Sequence, residues 1–364
     1  MAKERSSMES LVTSRRVSKD FWKNKKVFLT GHTGFKGSWL SMWLNQLGAD
    51  VYGYSLEAPT TPSLFDELNL SKHIKSIKGD IRDYKNLKNH ILGFNPQIII
   101  HMAAQPLVRY SYINPLETYE VNVMGAANAM HAAMEVKDLE CFLNVTSDKC
   151  YENNELDWSY KENEPMGGYD PYSNSKGCSE LVTSSFRQSF FSDRDIGLSS
   201  ARAGNVIGGG DWAADRLIPD ILKAFELKER VIIRNPDAIR PWQHVLEPLS
   251  GYLILIEDMY VDKAISGGWN FGPNEEDAKK VSWIVEQLAK LWGNNASWQL
   301  DSTTNPHEAS YLKLDISKAK NQLNWSPNWT LDQALEKITE WHKSWINKQD
   351  IWAITESHIQ SYNR

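Results

Sequence analysis

The sequence predicts an α/β protein in which a doubly wound parallel sheet is joined to a smaller mixed α/β lobe. From Lys26 onward, short β-branched runs alternate with helix-length amphipathic segments, the rhythm of a parallel sheet covered by helices on both faces. After Ala201 that rhythm gives way to Gly-rich and Trp-containing loops. The length, 364 residues, exceeds the roughly 250–300 residues at which a single core stops growing, so two lobes sharing a cleft are expected.

Taken in order, strands are expected at Val27–Thr30, Asp50–Tyr54, Ile74–Lys78, Gln97–Met102, Glu140–Thr146 and Gly197–Ala201. Helices are expected between them at Gly37–Leu47, Leu87–Phe94, Pro115–Ala133 and Tyr172–Ser192. Further helices are expected at Ile218–Lys228, Val281–Leu291 and Leu331–Ser344. In such a sheet ligands bind beyond the carboxyl ends of the strands, where strand order reverses. The first 20 residues, rich in Ser, Lys, Arg and Glu, read as a flexible leader. Residues 21–205, with about 240–271, form the sheet domain, and about 206–239, with 272–350, form the second lobe.

Composition narrows the function. With 41% hydrophobic and 24% charged residues and a net charge of -6, nothing attracts nucleic acid. Cys141, Cys150 and Cys178 lack the spacing of a metal site or a disulfide framework, so no metal is expected and a reducing cytoplasm fits. No run approaches the roughly 20 apolar residues of a membrane helix. Most of the 15 tryptophans are expected to pack the second lobe and surface grooves.

Two motifs carry chemistry. Val27-Phe28-Leu29-Thr30 runs into Gly31-His32-Thr33-Gly34-Phe35-Lys36-Gly37 and then a helical segment. Glycines at Gly31, Gly34 and Gly37 permit a tight turn, close approach of a pyrophosphate and helix packing, with the helix N-terminus supplying amides. This is the dinucleotide-binding turn of a Rossmann-type sheet. The second strand ends Val51-Tyr52-Gly53-Tyr54-Ser55, without the acid that usually takes the ribose 2′-hydroxyl; Glu57 is near, and no arginine stands ready for a 2′-phosphate. NAD is preferred over NADP.

The second motif is Asp170-Pro171-Tyr172-Ser173-Asn174-Ser175-Lys176, which places Tyr172 and Lys176 one helical turn apart. An ammonium beside a phenol is expected to draw its pKa down from about 10, giving a general base. Ser147, Asp148 and Lys149 follow an apolar strand directly, putting a hydroxyl, a carboxylate and an amine where this architecture places catalysts.

These residues resemble the extended short-chain dehydrogenase/reductases, through Gly31-x-x-Gly34-x-x-Gly37, Gly79-Asp80-Ile81-Arg82-Asp83, His101-Met102-Ala103-Ala104-Gln105, Asn122-Val123-x-Gly125 and Tyr172-x-x-x-Lys176. Within that family the likeness sharpens to the CDP-glucose 4,6-dehydratases. It is carried by Thr30 to Trp39, Ala104-Gln105-Pro106-Leu107-Val108-Arg109, Thr146-Ser147-Asp148-Lys149-Cys150-Tyr151 and Arg240-Pro241-Trp242-Gln243-His244-Val245. The resemblance covers about Phe21 to Trp341.

It implies that NAD is held by Gly31, Thr33, Gly34, Phe35, Gly37, Asp80, Ile81, Ala103, Ala104, Gln105, Asn122, Tyr172 and Lys176. It implies that Tyr172 takes the proton of the sugar 4-hydroxyl, Ser147 bonds O4, and Asp148 protonates the departing C6 hydroxyl. Many related dehydratases carry glutamate where Lys149 stands; the lysine is then the C5 base or an electrostatic stabiliser of the enolate. Asn205, Arg216, Leu217 and Arg240, with Arg202 nearby, fall where the nucleotide and its pyrophosphate are held. Pro306-His307-Glu308-Ala309-x-Tyr311 also matches, without a readable role. The family likeness implies a homodimer through Pro115–Ala133 and Tyr172–Ser192. Rival readings are a nucleotide-sugar 4-epimerase, which has no use for Asp148 and Lys149, and a non-catalytic NAD-sensing protein, which would not need Tyr172 and Lys176.

Overall fold

Strands covered on both faces must be apolar on both, and the central strands here are near-continuous buried runs for that reason. The computed structural model describes residues 14–154, 158–293, 296–301 and 312–364; the motif at Pro306 to Tyr311 lies outside them. One sheet is built from β1 (Lys26–Thr30), β2 (Asp50–Ser55), β3 (Lys75–Lys78), β4 (Ile98–His101), β5 (Cys141–Val145), β6 (Gly197–Ala203) and β7 (Gly268–Phe271). Their spatial order is β7-β6-β5-β4-β1-β2-β3, and every neighbouring pair is parallel. This is the Rossmann arrangement extended by one strand, with order reversing between β1 and β4. The six strands read from the sequence are all present. The seventh was not read as a strand.

Alternation along the strands divides the interior. Val27, Leu29, Ile98, Ile100 and Leu143 face one core, while Phe28, Ile99 and Phe142 face the other. A third cluster, including Ile221, Phe225, Trp242, Ile284, Leu335 and Ile338, lies off the sheet and forms the second lobe's interior. The fully buried Trp39, Trp43, Trp269, Trp325 and Trp341 pack the first of these cores rather than the second lobe. That corrects the expectation for these tryptophans.

Four helices organise the site. α1 (Phe35–Gln46) follows the glycine turn and α2 (Pro171–Phe186) carries Tyr172 and Lys176. α2 begins where Asp170 accepts from the Ser173 amide at 2.9 Å and Pro171 occupies the first turn, a strong start signal. α3 (Leu246–Val261) was not expected: 13 of its 16 residues are buried, so it has no polar face to betray a helical period. α4 (Ile351–Tyr362) lies beyond the last expected element. It docks through Thr355, which accepts from Trp341 Nε1 at 2.9 Å, and Tyr362, which donates to Glu247 at 2.6 Å.

The leader expectation needs correction where residues are described. Val17 is buried, and Arg15 Nη2 lies 2.9 Å from Glu257 on α3. The same carboxylate accepts from the Ser18 amide at 2.8 Å and Trp22 Nε1 at 2.9 Å. A run of charged residues hid a docked segment because its partner lies more than 200 residues away. Residues 1–13 lie outside the described set.

A buried ion pair fastens α2 to the sheet. Glu180 accepts from Arg202 Nη2 at 2.7 Å and Ser200 Oγ at 2.6 Å, and also from Thr146 at the end of β5. Arg202 Nη1 donates to Tyr151 at 2.7 Å and to the Glu162 carbonyl at 3.0 Å. Removing one partner of such a pair strands a buried charge. Arg202→Met should therefore lower the unfolding free energy by about 3–5 kcal/mol. The double variant Glu180→Gln/Arg202→Met, which leaves no buried charge, should recover most of that in chemical denaturation; equal losses in both variants would show that the pair is not what the site leans on.

Candidate active site

The carboxyl ends of β1, β4 and β5 open on a cavity of about 1130 Å³ that reaches from the glycine turn to the second lobe. Gly31 has a φ of 76°, and a Cβ there would lie 2.7 Å from the Ala103 amide nitrogen, so the turn and the loop after β4 close only around glycine. Thr33 Oγ1 bonds Ser55 Oγ at 2.9 Å and donates to the Leu56 carbonyl at 3.0 Å, tying the turn to the end of β2. No side chain caps α1 at Gly34, which leaves its first amides for an anion. An uncapped helix end, a glycine cradle and a long cavity fit a dinucleotide.

Gly31, Thr33, Gly34, Phe35, Gly37, Asp80, Ile81, Ala103 and Ala104 all line this cavity. Gln105 and Asn122 do not. Asn122 clasps the Gln105 backbone, accepting from its amide at 2.8 Å and donating to its carbonyl at 3.0 Å, and reaches Ser175 of α2 at 2.9 Å. Asn122 thus shapes the loop carrying Ala103 and Ala104. Glu57 lines the cavity mouth and pairs with Lys78, the last residue of β3.

At the end of β5, Ser147 caps a single turn, Asp148–Cys150, accepting from the Lys149 amide at 3.2 Å. Its hydroxyl donates to Asp148 Oδ1 at 3.0 Å and stands close enough to Tyr172 to favour its phenolate. Tyr172, Ser147 and Asp148 therefore stand together at the end of β5. Asp148 Oδ2 has no hydrogen-bond partner among the described residues. It lies so near the chain at Gly204 that a Cβ there would stand 2.0 Å away, so any side chain at 204 would displace the carboxylate. Lys149 lines the same cavity.

On the second lobe's side, Asn205, Arg216, Leu217 and Arg240 line the cavity, and Arg216 donates to Asp211 at 2.9 Å. Arg202 is corrected: it is buried in the Glu180 pair. Lys36, Arg109 and Arg234, which sequence reasoning left without a role, also line it, as does Asp215 beside Arg216. Lys36 is pushed down to about 7 by burial, with Lys176 and Arg216 adding repulsion, and its ammonium donates to Tyr252 at 2.9 Å. A lysine between the second and third glycines, where the chain must be buried, was the visible signal. His101, the last residue of β4, bonds Thr30 at 2.9 Å.

One electrostatic expectation fails. Tyr172 is not drawn toward neutrality; burial pushes it up to about 12, against the lowering effects of Ser147 and Arg216. Desolvation of the phenolate outweighs them. Lys176 is itself pushed down to about 8 by burial, partly countered by Glu180, and its ammonium donates to the Val145 carbonyl at 3.3 Å.

Comparison with known proteins adds to this geometry. The chain matches the family described as GDP-mannose 4,6 dehydratase over residues 28–338. It is 57% identical over 352 residues to the CDP-glucose 4,6-dehydratase of Salmonella typhimurium, covering 95% of this chain and 98% of that protein. With the dTDP-glucose 4,6-dehydratase of Haemophilus influenzae it shares 25% identity, over 87% of this chain and 97% of that one. Among solved structures, the UDP-glucose 4-epimerase of Thermotoga maritima with UDP-glucose aligns with a TM-score of 0.77 at 18% identity, covering 88% of this chain and 99% of that one. The dTDP-glucose 4,6-dehydratase of Bacillus anthracis in complex with NAD aligns at 0.72 and 18%, covering 90% and 99%. These two structures speak to the fold.

The depressed Lys176 gives a pH-dependent signature. Below pH 8 both folded and unfolded chains hold its proton, so the full burial penalty is present. Between pH 8 and 10.5 only the unfolded chain holds it, and the penalty is lifted as pH rises. Lys176→Met should therefore be more stable than the parent by roughly 3 kcal/mol at pH 7.5, with the gap closing by about pH 10 in urea titrations. A gap that does not change with pH would mean that Lys176 is not strained by burial.

Proposed function

The chain belongs to the GDP-mannose 4,6-dehydratase family, and from that premise we propose that it converts CDP-glucose to CDP-4-keto-6-deoxyglucose and water. The observation that carries this reading is the meeting, at one cavity, of the glycine turn, Tyr172 with Lys176, and the Ser147-Asp148-Lys149 cluster. The high identity to a CDP-glucose 4,6-dehydratase favours the cytidine substrate over other nucleotide sugars.

NAD held at Gly31, Thr33, Gly34 and Ala103 would supply reversible hydride chemistry between C4 and C6, so that the reaction has no net oxidation. The residues then divide the proton work. Tyr172 takes the 4-hydroxyl proton while Ser147 bonds O4. The resulting ketone acidifies C5, where Lys149 removes the proton or steadies the enolate that forms. Asp148 protonates the C6 hydroxyl, which leaves as water, and a proton returns to C5.

The balance closes among Tyr172, Ser147 and Asp148. The proton gained at Tyr172 passes through the Ser147 hydroxyl to Asp148, replacing the one lost with the water. A 4-epimerase shares the turn and Tyr172 but has no elimination to run, and Asp148 and Lys149 would have no work there.

The dimer and the compartment belong to this proposal too. Ile113, Leu116, Met124 and Leu181 stand exposed on or beside the segments 115–133 and 172–192, and a homodimer would cover them; a mass of two chains by light scattering checks this. Three free cysteines suit a reducing cytoplasm. No helix of the described residues is long and apolar enough to cross a membrane.

The test is incubation with NAD and, separately, CDP-glucose, dTDP-glucose, UDP-glucose and GDP-mannose, followed by mass spectrometry. Loss of water from CDP-glucose is expected. Water loss from another sugar alone would overturn the substrate, and an unchanged mass with an inverted C4 would make the protein an epimerase. In the same assay Lys149→Met should lose at least about 100-fold in turnover while binding CDP-glucose within about two-fold of the parent; normal turnover would take Lys149 out of the elimination.

A further inference from the structure

Four guanidinium groups line the cavity, and acids of the chain stand among them. Arg109, Arg216, Arg234 and Arg240 all line it. Arg216 is held by Asp211 at 2.9 Å. Asp215, on the same loop, faces two arginines from opposite walls. Its Oδ1 lies 3.3 Å from Arg109 Nη1, on the helix Val108–Ile113 after β4, and 3.9 Å from Arg234 Nη2, just past the second-lobe strand Val231–Ile233. Asp220 also lies within the field of both arginines and of Asp215.

One carboxylate oxygen between two converging guanidiniums copies the arrangement a phosphate oxygen would take, since arginine forks are suited to either anion. Asp215 sits on a cavity-lining loop with φ at 60°, a conformation costly to most side chains and tolerated by Asp and Asn. Its side chain is half exposed, so it can leave without burying an unpaired charge.

We propose that Asp215 is a resident anion standing in for a substrate phosphate, and that a nucleoside diphosphate binds by exchanging with it at Arg109 and Arg234. The exchange keeps the two walls bridged whether or not substrate is bound. It also sets a threshold: a ligand must bring enough negative charge to displace an anion already tethered in place. A nucleoside gains nothing from the exchange; a diphosphate gains both arginines. The inference rests on the nucleotide-sugar reading above, and its test is arranged to fail separately from it.

The experiment is calorimetric titration of the full-length protein with CDP, inorganic pyrophosphate and cytidine, without turnover. Asp215→Asn keeps a side chain that accepts the left-handed backbone and removes the charge. It should tighten CDP and pyrophosphate by about five-fold and leave cytidine unchanged. Arg109→Gln in the Asp215→Asn background should abolish most of that gain.

Unchanged or weaker CDP binding by Asp215→Asn, with the parent binding CDP normally, overturns the exchange and leaves the substrate reading intact. A gain that survives Arg109→Gln also overturns it, because the effect would then be a general change of charge. A parent protein that binds neither CDP nor pyrophosphate overturns the substrate reading, and this inference with it.

Discussion

The site depends on a carboxylate that touches neither cofactor nor substrate space. Glu180 lies one turn after Lys176 on α2 and collects Arg202 and Ser200 from β6 and Thr146 from the end of β5. Because Thr146 immediately precedes Ser147, this one side chain fixes the distance between the helix bearing Tyr172 and Lys176 and the strand end bearing Ser147, Asp148 and Lys149. Arg202 extends the tie through Tyr151, which donates to Asn270 of β7 at 2.7 Å. The pair spends its Coulombic attraction on geometry rather than on net stability, as buried pairs commonly do. The same negative charge keeps Lys176 from being pushed further down by burial, so support and electrostatics come from one residue.

Much of the architecture could be read from the chain because its local signals agree with its fold. The three glycines mark the first crossover, and Asp170-Pro171 marks the start of α2. Buried strands announce themselves as apolar runs. What escaped was structure without periodicity. α3 is buried on nearly every side, so its helical repeat is invisible, and the segment from Ser14 to Trp22 is charged in sequence yet anchored by Glu257 across the fold.

At the site, residue types were legible and their electrostatics were not. A spacing of four puts Tyr172 and Lys176 on one face of α2 but says nothing of desolvation, which dominates both pKa values. Motif membership likewise does not separate residues that face the cavity from those that shape it. Asn122 and Gln105 belong to the signature of the nucleotide fold, yet they act by bracing the Ala103-Ala104 loop against α2. Arg202 sits beside the cavity-lining Asn205 in the chain and belongs instead to the interior.

The upward shift of Tyr172 bears on the order of events. With only the protein's own groups around it, the phenol keeps its proton at neutral pH, because Ser147 and Arg216 do not offset burial. A positive charge placed in the same cavity would lower that pKa, and in a dry site such a charge acts strongly. Lys36, Lys176 and Arg216 already stand in the region, and burial, with repulsion from the other two added, depresses Lys36 to about 7. A further cation would make the phenolate cheaper and, by the same field, make the two lysines readier to give up protons. A base at Tyr172 and a neutral amine in the lysine cluster would therefore arise together. The first proton transfer of the reaction therefore waits on a charge that the described residues do not themselves supply.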